Sequence, residues 1–182
     1  MAELSERIKL SIGTQEQYLN LHAAILARAG ASLGAALARG NKMIAVGCPV
    51  VAEHMVAELT GRYQVERPAL PAIALSENAS ALTAIMNDYG RDYVYARQLS
   101  ALAQPGDFVL GFMAGVDHAA QTAIDHAQKM GLEILVLEIP GCEEWVATET
   151  FLTAAHLLCE EAEAELARQR PDLFPAPATP KA

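Results

Sequence analysis

Apolar residues return on a helical period through residues 1–38, at Leu4, Ile8, Ile12, Tyr18, Leu21, Ile25 and Leu33, which predicts a long amphipathic helix. Gly13-Thr14 and Gly30 mark where that helix would bend or break. Gly40-Asn41 stops it, and Lys42 to Gly47 reads as a short buried strand. Pro49 opens a helix to about Leu59, and Ala72 to Leu75 is a second strand with Ser76 placed to cap the helix behind it. Residues 91–103 read as helix, Pro105-Gly106-Asp107 as a turn, and 108–111 as a strand. A helix over 116–129, a strand over 133–137 and a helix from near Glu143 to about Arg168 complete the series. Strands alternating with helices predict an α/β fold, a doubly wound parallel sheet in three layers. Such sheets take ligands beyond the carboxyl ends of their strands, which groups the Gly47, Ser76 and Gly111 loops around one pocket.

An amphipathic arm this long has little to pack against in one small domain, so a partner subunit is the expected recipient of its apolar face. The chain divides into an N-terminal helical arm (1–38), a domain (39–169) and a flexible tail (170–182) rich in proline. A net charge of −9 argues against a surface that grips nucleic acid through its phosphates. Cys48, Cys142 and Cys159 form no ligand-like cluster, which fits reduced thiols in the cytoplasm. Charged residues mixed into the N-terminus argue against a signal peptide, and the apolar runs read as too short to span a membrane.

Several short runs keep a recognisable order: Glu58-Leu59-Thr60-Gly61-Arg62-Tyr63, Glu66-Arg67-Pro68-Ala69-Leu70-Pro71, Asn87-Asp88-Tyr89-Gly90, Val94-Tyr95-Ala96-Arg97-Gln98 and Gln104-Pro105-Gly106-Asp107. In these runs the chain resembles the sugar isomerase (SIS) domain family, in particular the phosphoheptose isomerases and the DnaA initiator-associating (DiaA-like) proteins. The resemblance implies a tetramer with sites at subunit boundaries. It also implies roles for an H-x-x-x-E pair, here His54 and Glu58, and for a histidine on the last helix, here His156. A helix sets i and i+4 on one face, so His54 and Glu58 can reach one site. Glu58 and His156 would be base and acid of an aldose–ketose isomerisation. Zinc-dependent members add a glutamine eight residues before the last histidine; Thr148 stands there, leaving His54, Glu58 and His156 as a three-ligand set. Asp88 aligns with a sugar-contacting aspartate, although a helix-capping role would suit it equally.

The chain departs from the family where the family holds phosphate. Gly47-Cys48-Pro49-Val50 is shortened and lacks the glycine pair and serine of the first loop, and Pro49 removes an amide donor. In the second loop, from Gly111 to His118, apolar residues replace hydroxyls and Asp117 adds a negative charge. One like-charge pair at about 4 Å costs on the order of 4 kcal/mol at an effective dielectric near 20. The pocket beneath Gly47 and Gly111 is then either open and lined by donors, or closed by Pro49, Val50, Phe112 and Met113. After the strand at 133–137 the chain passes almost directly into helix, so four strands are expected where the family has five.

These departures favour a non-catalytic, tetrameric binding or assembly protein of the DiaA-like kind, acting in regulation of replication initiation, with a sedoheptulose 7-phosphate isomerase or other sugar (phosphate) isomerase as the alternative. Leu173-Phe174-Pro175 matches a tail motif through which DiaA-like proteins bind the replication initiator DnaA. Leu173 and Phe174 could equally staple the last helix to its own assembly. A paralogous SIS subunit is a further expected partner. His118 and His126 read as helix-surface residues, and Trp145 and Phe151 as core or interface residues.

Overall fold

The computed structural model describes residues 3–174. Four parallel strands, β1 (Met43–Gly47), β2 (Ala72–Ala74), β3 (Phe108–Met113) and β4 (Glu133–Glu138), lie in the order β2-β1-β3-β4. Helices α1 (Leu4–Ala38), α2 (Pro49–Thr60) and α6 (Glu144–Gln169) cover one face, while α4 (Val94–Leu102) and α5 (His118–Lys129) cover the other. A further helix, α3 (Ala79–Tyr89), stands at the rim and buries no residue. The four-stranded three-layer sheet is the one the sequence predicts.

Neighbouring residues of the central strands serve opposite layers. Met43 and Ala45 join Phe108, Leu110 and Phe112 beneath α1, α2 and α6. Ile44 and Val46 join Val109 and Met113 beneath α4 and α5. Both faces are covered, so β1 and β3 are apolar throughout instead of alternating. Of the two edge strands, β4 begins and ends with exposed glutamates, which discourage further pairing.

α1 runs unbroken, and its glycines do a different job from the one expected. A Cβ on Gly30 would lie 2.5 Å from the Glu161 Cβ, and one on Gly34 2.4 Å from the Ala162 carbonyl oxygen. These glycines let α1 close directly onto α6, where Leu26, Leu33 and Leu37 are buried. The second half of the arm therefore packs within its own chain. Its first half keeps Leu4, Ile8, Ile12 and Leu21 exposed. By length and composition α1 could cross a membrane, contrary to the sequence expectation, yet its second half is packed as a bundle helix.

Two ion pairs fix the frame. Asp107, 1% exposed, holds the Lys42 ammonium and the Lys42 amide, joining the starts of β1 and β3. Burial pushes its carboxyl up, but the Lys42 and Gln104 donors outweigh that and hold it below its ordinary 3.8. Arg67 and Glu163, 0% and 6% exposed, pair at 2.8 Å. Arg67 also donates to the carbonyls of Glu58, Leu59 and Gly61, capping the orphan end of α2 and bolting it to α6. The Glu66-Arg67-Pro68 run thus has a structural use. The segment from Arg170 begins with a single 3-10 turn at Pro171–Leu173, so its first residues are ordered; the expected flexibility from residue 175 onward lies outside the described residues.

Candidate functional site

α2 and α6 run side by side, and their facing residues bring the three expected ligands together. His54 Nε2 lies 2.8 Å from His156 Nε2 and 3.5 Å from Glu58 Oε1. Ligand atoms of all three residues fall within 4.8 Å of one another. At the histidine contact one ring must donate N–H and the other accept, so at least one Nε2 carries a proton. Tyr63 stacks on His156, with centroids 5.0 Å apart and planes 12° apart. Its hydroxyl and the Gln64 amide both donate to Glu160, which holds the loop against α6. Tyr63 carried no assigned role in the sequence reading, because its use depends on the loop folding back over His156.

The donor set fits a zinc ion. Two imidazole nitrogens and one carboxylate oxygen make a three-ligand set that would hold the ion and leave a position for substrate. Thr148 does not supply a fourth ligand: its hydroxyl donates to the Glu144 carbonyl and lies 3.8 Å from Cys48 Sγ.

Beyond the strand ends lies a separate cavity of about 620 Å³, bordered by Cys48, Arg91, Tyr95, Asp117, His118 and Glu144 among others. It is open: Val50 stands 62% exposed to solvent and Met113 is buried in the layer below. His118, expected on a helix surface, lines this cavity, while His126 bonds Ser100 between α4 and α5. Gly47 borders the cavity with φ +90. A Cβ there would sit 2.0 Å from the Phe112 carbonyl oxygen, so only glycine allows the turn.

Other expected ligand residues fall elsewhere. β3 continues to Met113, two residues past the expected end, so Gly111 lies buried in mid-strand against Ile124 and Val136. Ser76 donates to Glu53, and Asn78 is the residue that caps α3 by accepting from the Ala81 amide. Asp88 is exposed near the end of α3. Leu173 and Phe174 are half-buried against the core behind α6. Phe151 is fully buried, and Trp145 donates to Glu143 beneath the Arg7 guanidinium.

The chain is thus a parallel doubly wound α/β sheet with a histidine–glutamate cluster on its flanking helices and a cavity beyond its strand ends. The sequence matches the SIS domain family over residues 11–138, and the chain belongs to that family. It is a phosphoheptose isomerase-like SIS protein. It is 35% identical over 162 residues to a phosphoheptose isomerase of Pelobacter propionicus, spanning 78% of this chain and 86% of that protein. A phosphoheptose isomerase of Campylobacter concisus is 47% identical over 109 residues, 58% of each chain. The fold is also that of a phosphoheptose isomerase structure from Francisella tularensis, with a TM-score of 0.73 and 23% identity over 90% of this chain and all of that one.

Proposed function

We propose that the chain catalyses aldose–ketose isomerisation of a sugar, with Glu58 moving the proton between adjacent carbons and His156 serving the carbonyl and hydroxyl oxygens. One observation carries this reading: His54, Glu58 and His156 converge from helices 102 residues apart in sequence. Relatives at 35% and 47% identity are phosphoheptose isomerases, which supports the same reaction class. Arg67 holds the Glu58 carbonyl and Tyr63 stacks on His156, so both groups are positioned before substrate arrives. A zinc ion held by His54, Glu58 and His156 would polarise the substrate carbonyl. Glu58 would then give one carboxylate oxygen to the metal and keep the other for the proton, and chelation would abolish turnover.

The test is deuterium incorporation from D2O at the carbon beside the carbonyl, followed by NMR on ketose substrates with and without phosphate. Exchange that disappears in Glu58→Gln supports the reading; exchange unaffected by that substitution defeats it.

A second reading is a non-catalytic tetrameric assembly protein of the DiaA-like kind, binding a replication initiator or a paralogous SIS subunit. The altered strand-end loop favours it, because the Cys48 amide is already bonded to the Phe112 carbonyl at 2.8 Å and Pro49 has none. The exposed Leu4, Ile8, Ile12 and Leu21 supply an apolar stripe for assembly. Half-burial of Leu173 and Phe174 leaves less of that pair free for an initiator. Three free cysteines suit the reducing cytoplasm. Absence of exchange with every ketose, together with a tetramer by light scattering, would favour this reading.

A further inference from the structure

The cavity beyond the strand ends is poor in the loop donors that hold a phosphate. Its backbone donors are reduced: the Cys48 N–H is bonded to the Phe112 carbonyl, and Pro49 offers no N–H. Its second loop contributes Ala114, Gly115 and Val116, none with a side-chain donor. Three carboxylates border it, Asp92, Asp117 and Glu144, against one guanidinium, Arg91, and one imidazole, His118. None of the four charged residues is in an ion pair among the described residues. The Asp117 carboxylate accepts from the Ala120 amide at the start of α5, which offsets part of one charge only.

A second, independent feature points to a ligand. Tyr95 lines the same cavity, is only 9% exposed, and its hydroxyl has no hydrogen-bond partner among the described residues. Burial, then Asp117, push its proton affinity up, while Arg91 opposes them. It stays a neutral phenol able to donate and accept.

We infer that this cavity takes a sugar carrying no phosphate, an amine-bearing sugar most readily, with its hydroxyls bonded by Tyr95, Asp92 and Glu144. Carboxylates accept well from sugar hydroxyls and from an ammonium, and repel a dianion. A cavity of about 620 Å³ accommodates a sugar of this size. The inference rests on the isomerase reading for its sugar and goes beyond it in place, since none of His54, Glu58 and His156 borders this cavity.

Titration calorimetry on the full chain tests it with two pairs of probes: glucosamine against glucosamine 6-phosphate, and sedoheptulose against sedoheptulose 7-phosphate. In each pair the phosphate-free sugar is expected to bind about tenfold tighter or more, a gap that added salt narrows. Tyr95→Phe is expected to weaken that binding several-fold with an unchanged melting curve, and Asp92→Asn with Glu144→Gln to erase the preference. Tighter binding of either phosphate ester, no binding by any of the four, or a preference that survives the double variant overturns the inference. The exchange assay separates the two readings. A phosphate-free sugar that binds without exchange defeats the isomerase and keeps this site; an ester that binds tighter and exchanges does the reverse.

Discussion

The α2–α6 seam and the strand-end loops were built on one sheet, yet they carry opposite signals. The seam keeps His54, Glu58 and His156 within 4.8 Å and reinforces them with a buried Arg67–Glu163 pair and a stacked Tyr63. The loops place an engaged amide, a proline and unpaired carboxylates around an open cavity. Helices joined by buried contacts constrain one another, because moving either leaves a charge without its partner. Loops at the rim answer only to what they bind. The contrast suits the proposed reading, in which chemistry stays on the rigid seam and ligand selection differs at the rim.

The sharpest way to break that contrast is Glu58→Gln. Exchange is expected to fall about 1000-fold, the scale of losing a positioned general base, with no change in urea stability. A large loss of stability with intact exchange would make the seam structural alone. Next is Arg67→Ala, which strands Glu163 and frees the end of α2. Urea titration should register about 3–4 kcal/mol of destabilisation. Exchange measured well below the shifted midpoint should also drop, since the Glu58 backbone loses its anchor.

Asp107→Asn probes the far end of the sheet, away from both regions. A loss of about 2–3 kcal/mol at neutral pH is expected, tempered by the partial exposure of Lys42. The folded carboxyl lies below its ordinary 3.8, so its ionisation stabilises the fold above that pH. That contribution is lost as pH falls through the folded value, and the variant should show a flatter acid limb in stability against pH. The smallest effect belongs to Gly34→Ala. Its Cβ would meet the Ala162 carbonyl, and the helices must part slightly for about 1–2 kcal/mol, read as a lower melting temperature.

Much of the architecture was legible from pattern alone. Apolar runs of strand length separated by helical periods gave four parallel strands in their observed places, and the direct passage from β4 to α6 gave their number. The glycines of α1 were misread because a helix glycine looks the same in sequence whether it bends the helix or admits a neighbour. Gly111 was assigned to a loop because Phe112 and Met113 could extend a strand or begin a turn, and only pairing with Leu137 and Glu138 decides. Ser76 and Asn78 are both capping residues, and the local backbone chose the second.

By itself the sequence determined the layers and the strand count, since periodicity is a local property, while the resemblance to the SIS family singled out His54, Glu58 and His156 as a candidate cluster. Only the tertiary structure decided that His156 meets His54, that Tyr63 covers it, and that Arg91, Tyr95, Asp117 and Glu144 share one cavity. Those groups come from separate helices and loops, and their distances depend on how the layers pack.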